Sequence, residues 1–317
     1  MNFRAGLTQI EVLETPQAMG QATARHAADA LMAGAAQGRE TVFWVMAAPS
    51  AFPFYEAFIK LAKAEPALAT QLSRTHFFQF DDYPISRESP QFPATFRHLL
   101  QERFFAGLTP VCGPLERIHS PEFTGQASDA GVALDYARSL LELKRHGAFL
   151  LQLKGIGMDG HWGFHGAETP LEGEPAMLPV PMNEANRHQQ ALDWPALFQN
   201  PKNVPELAYT FNVAMFLLAD EILDNVPQAS KEYSVLGCYG SDQILGALPS
   251  SALKAHPKST AYLTRASAQS LLEFREAGLS PAALARLRAL WADPAKPEES
   301  LANIAAMERA LKQLGML

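Results

Sequence analysis

The sequence predicts a doubly wound α/β fold, a Rossmann-like parallel sheet with helices on both faces, followed by a C-terminal helical extension. Short, continuously apolar runs alternate with longer amphipathic stretches, as expected when strands are buried on both faces and joined by helices. Acidic and glycine-rich residues directly follow such runs, where this fold has its ligand crevice. We expect the α/β domain to span residues 1–273 and the extension residues 274–317.

Local sequence patterns predict the helices and strands of the α/β domain. The alanine-rich segment 15–32 begins with Thr15 and Pro16, a favourable N-cap and first-turn pair, and predicts a helix. The run 41–46 predicts a buried strand, and a turn with Pro49 and Ser50 separates it from a further helix that ends near residue 64. Later apolar runs predict strands at 76–80, 148–153, 233–238 and 260–264.

The composition limits the classes of function. With 317 residues, of which 48% are hydrophobic and 19% charged, the chain can bury a large core. The formal net charge of -7 argues against a nucleic-acid partner, which requires clustered basic residues, and favours a small molecule.

Cysteine usage and hydropathy indicate the compartment. Cys112 and Cys238 are the only cysteines and lack metal-ligand spacing, so we expect neither a disulfide framework nor a zinc site. The sequence has no signal-peptide pattern and no apolar run of about 18 residues. These features predict a cytoplasmic protein without a membrane segment.

Two polar clusters form the candidate active site. Asp81 and Asp82 follow the second predicted strand, and the glycine-rich segment 155–161, with Asp159 and His161, follows the third. Because the carboxyl ends of parallel strands open onto one crevice, we expect both clusters there. A shielded carboxylate is suited to act as a general base, and an imidazole transfers protons near neutral pH. Either cluster alone also fits a turn or a helix cap. Their shared position favours a function.

Three motifs resemble those of the glucosamine-6-phosphate deaminase and 6-phosphogluconolactonase family. Residues 155–164 are similar to its signature G-x-G-x-D-G-H-x-x-F. Residues 78–83 resemble the F-x-x-D-E-Y segment of the deaminases. Residues 251–258 resemble their S-x-L-x-x-H-P-K stretch, which the lactonases usually lack. The resemblance covers roughly residues 10–275 and implies an α/β enzyme of carbohydrate metabolism, closer to the deaminases.

The resemblance implies a role for each matching residue. Asp81 matches the general base that moves a proton between C1 and C2 of the open-chain sugar, and Asp159 and His161 match the pair that assists ring opening. The third catalytic acid of the family falls at Gly166, with Glu168 nearby as its candidate replacement. Proton transfer next to a carbonyl needs neither a metal nor an organic cofactor, so we expect none.

The phosphate-binding residues of the family are altered. Its loop P-[ST]-G-G-[ST]-P, which cradles the phosphate, corresponds to M-A-A-P-S-A at residues 46–51, where Ser50 keeps a hydroxyl. Its phosphate-binding lysine falls at Gln243. We therefore expect another basic side chain, Arg187, Lys258 or His165, to bind the anion, and a sugar without phosphate stays an alternative. The expected substrate-binding residues are Ser50, Asp82, Gly157, Gly160, Arg187 and Lys258.

Two other functions fit the same motifs. A lactone hydrolase would use His161 as general base, although Tyr83 and the 256–258 match argue against it. A catalytically silent sugar-binding domain would resemble the effector domains of transcription regulators. No basic DNA-binding segment precedes residue 15, which argues against that reading.

The extension is expected to form two helices. Ser280 and Pro281 begin one, with an apolar stripe at Leu284, Leu287, Leu290 and Trp291. Asp293 and Pro294 break it, and a last helix from Glu298 carries the stripe Leu301, Ile304, Met307 and Leu311. Such stripes fit packing on the parent domain, and a homo-oligomer interface stays open.

Overall fold

The strands of this chain build two sheets in a computed structural model that describes residues 1–293 and 296–317, without the side chains of Ala185, Asp193 and Pro201. The strands are β1 (Asn2–Ala5), β2 (Thr8–Leu13), β3 (Thr41–Val45), β4 (His76–Gln79), β5 (Asp81–Asp82), β6 (Phe149–Lys154), β7 (Met177–Pro181), β8 (Leu207–Phe211), β9 (Glu221–Val226) and β10 (Ser259–Thr264). The helices are α1 (Pro16–Ala36), α2 (Phe52–Ala64), α3 (Pro66–Leu72), α4 (Phe96–Leu100), α5 (Ala106–Cys112), α6 (Asp129–Arg145), α7 (Glu184–Asp193), α8 (Val213–Phe216), α9 (Glu232–Tyr239), α10 (Gln269–Ala277), α11 (Pro281–Ala289) and α12 (Pro297–Gln313).

The larger sheet has the strand order β1-β2-β10-β9-β6-β3-β4. The pair β1 and β2 is antiparallel, and the other neighbours are parallel. From β3 the chain goes to β4 on one side and later returns as β6 on the other. The strand order therefore reverses between β3 and β6, where doubly wound sheets bind ligands. The predicted fold class is confirmed.

Both faces of this sheet are covered, because every residue of β3, β6, β9 and β10 is buried. Helix α1 packs on one face, where Thr23 donates to Asn225 of β9 at 3.0 Å. Its predicted N-cap is formed, since the Thr15 hydroxyl accepts from a backbone N–H in the first turn. On the other face Trp44 of β3 packs against Phe211 and Phe216, which belong to the antiparallel sheet β5-β8-β7 and to α8.

The strand prediction at 233–238 is wrong, since these residues lie in helix α9. Every residue of α9 is buried, so its apolar pattern lacks the one-sided period that separates a helix from a buried strand. The preceding strand β9 was not predicted, because Glu221, Asp224 and Asn225 interrupt its apolar run. All three side chains are buried and have polar partners inside the fold.

The C-terminal extension packs on the α/β domain. Leu287 of α11 and Met307 and Leu311 of α12 are buried, as their stripes predict, whereas Leu301 is 68% exposed and departs from the prediction. Pro294, which we expected to break the helix, lies outside the described residues. Within the part of the chain that the structure describes, no helix has both the length and the apolar character needed to span a bilayer.

Candidate active site

A cavity of about 350 Å³ lies at the carboxyl ends of β3 and β6, where the strand order reverses. Its volume falls in the range of small-molecule sites. Among the described residues, the polar and catalytic-type side chains that line it are Ser50, Asp81, His161, Gln189, Gln190, Gln228, Ser230 and Lys231. The larger apolar side chains are Met46, Phe80, Phe96, Ile156, Met158, Phe164, Leu192, Trp194 and Leu290.

The glycine-rich loop after β6 forms a closed turn at the edge of this cavity. The N–H of Gly157 donates to the carbonyl of His161 at 3.1 Å, and Gly160 has a φ of +89°, which favours glycine. A Cβ atom on Gly157 would lie 2.1 Å from the His161 ring. Both glycines therefore set the conformation of the loop. Gly157 also lines the cavity, whereas Gly160, which we expected to bind substrate, does not.

A buried polar chain supports this loop from below. Lys154, the last residue of β6, lies 3.1 Å from Asp224 of β9 and donates to the Ser250 hydroxyl at 3.3 Å. Because an ammonium group only donates, the Ser250 hydroxyl is left to donate to the His161 carbonyl, at 2.9 Å. Tyr239 donates to the same oxygen of Asp224. The loop is thus tied to a fully buried ion pair.

Asp159 and His161 form a hydrogen-bonded pair. The Nδ1 atom of His161 lies 2.6 Å from the Asp159 carboxylate. Burial raises the pKa of Asp159, but the charge and hydrogen bonds of His161 outweigh it and bring this pKa to about 2. Asp159 is therefore ionised near neutral pH and accepts the Nδ1–H proton. The Nε2 atom of His161 is then left to exchange a proton with a ligand.

Asp81 lines the same cavity as His161 and is only 5% exposed. Burial, together with the charge of Asp82, raises the pKa of Asp81 well above its ordinary value, although a hydrogen bond from Thr210 opposes the shift. A carboxyl group with a raised pKa is suited to take up and return a proton. The structure thus brings Asp81 and His161 together, as the sequence predicted.

Asp82 does not line the cavity. Adjacent residues of a strand point to opposite faces, and β5 directs Asp82 into the protein interior. Its carboxylate lies 3.1 Å from the Arg97 guanidinium and accepts from Gln79 and from the backbone N–H groups of Tyr83 and Phe96. The expectation that Asp82 binds substrate is corrected, because its acceptors are already used to hold the strand and α4.

Ser50 lies in the short turn between β3 and α2 and lines the cavity, as expected. Its carbonyl accepts from Asn225 of β9 at 3.0 Å, so the turn is fixed to the sheet. Its hydroxyl has a weak contact with the sulfur of Met46, at 3.8 Å. This hydroxyl is therefore available as a partner for a polar ligand.

Lys231 supplies a cation to the cavity, and sequence reasoning missed it. It is 5% exposed, lies just before α9 and donates to Gln189 at 2.9 Å. Gln243, where the family's lysine was placed, is exposed and does not line the cavity. A lysine in the turn that follows a strand is a sequence pattern that could have identified Lys231. The pattern was missed because the sequence analysis does not predict β9 as a strand.

Three other expected site residues lie away from the cavity lining. Glu168 is exposed. Arg187 is partly buried on α7 and does not line the cavity either. Lys258 directly precedes β10, at the amino ends of the strands and thus opposite the end that carries the cavity, and pairs there with Glu221 at 2.7 Å. The expectations for these three side chains are corrected, because none of them reaches the cavity in this conformation.

The C-terminal extension reaches the site. Leu290, at the end of α11, lines the cavity together with residues of the α/β domain. Arg286, one turn earlier, donates to Glu232 at 3.1 Å and to Glu273 at 2.8 Å. Glu232 directly follows Lys231. The extension therefore contacts both the wall of the cavity and the turn that carries Lys231.

Within residues 1–293 and 296–317, no group of three or more acidic, histidine or cysteine side chains is arranged to hold a metal ion.

Comparisons with known proteins relate the chain to sugar-phosphate enzymes. No protein-family model matches it. A glucosamine-6-phosphate deaminase of Rhodopirellula baltica is 32% identical over 191 residues, which cover 59% of this chain and 68% of that protein. A glucosamine-6-phosphate deaminase of an Arthrobacter species is 26% identical over 245 residues, 77% of this chain and 87% of that protein.

Solved structures share the fold. A monomeric glucosamine-6-phosphate deaminase superposes with a TM-score of 0.69 at 22% identity, over 82% of this chain and 98% of its own. A 6-phosphogluconolactonase from Trypanosoma brucei superposes with a TM-score of 0.61 at 18% identity, over 82% and 97% of the two chains.

Proposed function

The chain belongs to the glucosamine-6-phosphate deaminase family, and we propose that it transfers a proton between C1 and C2 of a ring-opened sugar phosphate. The observation that carries this proposal is that Asp81 and His161, from two distant segments, line one cavity at the reversal of the strand order. The Asp81 carboxylate is suited to remove a proton from carbon, and the His161 imidazole is suited to assist ring opening.

His161 assists the opening of the pyranose ring in this proposal. Because Asp159 accepts the proton on Nδ1, the Nε2 atom faces the ligand and exchanges a proton with the ring oxygen or the anomeric hydroxyl. The ionised Asp159 also stabilises the imidazolium that forms when Nε2 is protonated. Opening of the ring exposes the C1 carbonyl, which acidifies the hydrogen on C2.

Asp81 is the base for that hydrogen. Its carboxylate takes the proton from C2 to give an enediol-type intermediate and returns it to C1. The same environment that raises its pKa makes the ionised form a stronger base than an ordinary aspartate. The aromatic side chains of Phe80, Phe96 and Phe164 keep water away from this step.

Lys231 and the Ser50 hydroxyl bind the phosphate of the substrate. Among the described residues that line the cavity, the ammonium group of Lys231 and the hydroxyl groups of Ser50 and Ser230 are suited to bind a phosphate. This arrangement replaces the glycine-rich loop that residues 46–51 lack. The missing N–H donor at Pro49 is offset by the charge contact that Lys231 makes with the phosphate.

A panel assay tests this function. The protein is incubated with amino-sugar phosphates, hexose phosphates, unphosphorylated sugars and sugar lactones while isomerisation, ammonia release and ring hydrolysis are recorded. We expect turnover of a sugar phosphate that Asp81→Asn abolishes and that Asp82→Asn does not abolish in the folded variant. Lactone hydrolysis that survives Asp81→Asn but not His161→Ala contradicts the proposal, as does tight sugar binding without turnover.

A further inference from the structure

The turn between β9 and α9 supplies three residues to the wall of the cavity. Gln228, Ser230 and Lys231 all line it, and the Lys231 N–H donates to the Gln228 carbonyl at 3.1 Å, which closes the turn. Because three of the four residues 228–231 line the cavity, the position of this turn decides where their side chains reach. A residue that holds the 228–231 turn therefore acts on ligand binding without touching the ligand.

The C-terminal extension contacts the first two residues of α9, directly after this turn. Arg286 of α11 donates to the Glu232 carboxylate at 3.1 Å and to Glu273 of α10 at 2.8 Å. Trp291, just after α11, packs edge-to-face against Tyr233, with 6.1 Å between the ring centres. Two side chains of the extension thus hold the start of α9 at consecutive residues.

Helix α11 is a rigid support for these contacts. Its first turn is capped, since the Ser280 hydroxyl accepts from the Ala283 N–H at 3.1 Å. Ala283 and Leu287 are 0% exposed, so the helix is packed on the domain through one face. Leu290 lies one turn after Arg286 and lines the cavity. The contact at Arg286 is therefore made by a helix whose position is fixed by burial.

Glu232 links Arg286 to the turn. It is only 5% exposed, directly follows Lys231, and its carboxylate also accepts from the Ser270 hydroxyl. A buried carboxylate that loses a cationic partner moves towards water or towards another cation, because an unpaired charge is costly inside the protein. Because Glu232 is the first residue of α9, either movement displaces the turn that precedes it.

We propose that Arg286 is a positioning residue for anion binding, because its ion pair with Glu232 holds the 228–231 turn. The inference rests on the proposed function, in which Lys231 of this turn binds the phosphate, and it gives the C-terminal extension a part in that binding. Arg286 is not among the described residues that line the cavity and acts through the turn. Because it acts on the anion and not on the reacting carbon atoms, its loss should raise KM and leave kcat nearly unchanged.

Replacement of Arg286 by methionine tests this role. Methionine keeps an unbranched apolar stem and removes the guanidinium group that pairs with Glu232. The dissociation constants of glucosamine 6-phosphate and of inorganic phosphate are measured by isothermal titration calorimetry on the full chain, after circular dichroism has shown that the variant is folded. We expect Arg286→Met to weaken binding of both ligands about threefold to thirtyfold, the range for residues that support a site without touching the ligand. Unchanged constants in the folded variant, or a loss confined to the sugar phosphate, overturn the proposal.

Two variants control for charge and for chemistry. Arg288→Met makes the same change of net charge on the same helix, but Arg288 is exposed and pairs with Glu308 of α12 at 2.7 Å, so we expect both constants to stay nearly unchanged. An effect equal to that of Arg286→Met contradicts the argument. Arg286→Lys keeps a cation for Glu232 and should restore most of the affinity. An affinity no better than that of Arg286→Met also contradicts it.

A double-mutant cycle tests the path through Glu232. In the Glu232→Gln background no buried charge is released when the guanidinium group is lost, while the Gln side chain keeps an oxygen for Ser270. We therefore expect Arg286→Met to have little further effect on the affinity for phosphate in that background. If the effects of the two substitutions simply add, Arg286 does not act through Glu232 and the proposal fails.

These measurements separate the inference from the proposed function. If Arg286→Met weakens the binding of both ligands but no sugar phosphate is turned over by the wild type, the proposed reaction fails and the role of Arg286 stands. If a sugar phosphate is turned over in a reaction that requires Asp81, and Arg286→Met leaves its KM unchanged, the proposed reaction stands and the role of Arg286 fails.

Discussion

Replacement of Lys154 by methionine tests the buried ion pair of Lys154 and Asp224, which supports the glycine-rich loop after β6. The side chains of Lys154 and Asp224 are both 0% exposed, and their charged atoms lie 3.1 Å apart. Methionine keeps most of the volume of the lysine stem but leaves the Asp224 carboxylate without its cation, with Tyr239 as its remaining donor among the side-chain contacts. Removal of one partner of a fully buried pair costs about 3–5 kcal/mol. We expect a loss of that size in the free energy of unfolding.

Urea unfolding followed by far-ultraviolet circular dichroism measures this loss. The double variant Lys154→Met with Asp224→Asn removes both charges and keeps an oxygen for Tyr239, so we expect it to recover most of the stability. Lys60→Met, on the exposed side of α2, is the matched control and should change the free energy by less than about 0.5 kcal/mol. A loss below about 1 kcal/mol in the single variant, or a double variant that loses the sum of the two single changes, refutes the reasoning.

Three further predictions concern the cavity and its loop. Because the folded pKa of Asp159 is about 2 and its ordinary value is 3.8, this carboxylate stabilises the fold above about pH 4 and loses that effect as the pH falls towards 2. Asp159→Asn should therefore lower the unfolding free energy at pH 7 by roughly 2 kcal/mol and flatten its dependence below pH 4 in acid titrations; an unchanged acid limb contradicts this. Leu290→Trp should fill part of the cavity and weaken sugar-phosphate binding at least about tenfold in calorimetry, whereas Leu284→Trp on the same helix should not; equal effects would indicate a purely structural role. Gly157→Ala should abolish turnover because its Cβ atom collides with the imidazole, and Gly131→Ala, in open space on α6, should raise thermal stability by about 0.5–1 kcal/mol; an active Gly157→Ala enzyme would show that the loop relaxes.

The parts of the site that local sequence determines were predictable. The loop from Gly155 to His161 carries its glycines, acid and imidazole within seven residues, and its position after β6 follows from one apolar run. Asp81 was located by the same argument. Asp82 was not, because its neighbour in sequence faces the cavity while β5 turns Asp82 inward.

The residues that long-range packing brings to the site could not be predicted. Lys231 depends on β9, whose buried polar residues hid the strand. Leu290 lies at the end of α11, about 130 residues after the glycine-rich loop that follows β6. Only the packing of α11 on the α/β domain brings it to the cavity. The cytoplasmic location, the oligomeric state and the absence of a nucleic-acid partner stay predictions.

The strand order also affects how the chain is made. The hairpin β1-β2 joins the larger sheet through β10, which lies between β2 and β9. During translation β1 and β2 can pair with each other, but the second edge of β2 has no neighbour until β10 is made, roughly 12–50 s later at 5–20 residues per second. Over that interval this edge of β2 is open to other nascent chains, so chaperone dependence in the cell should be sensitive to this hairpin.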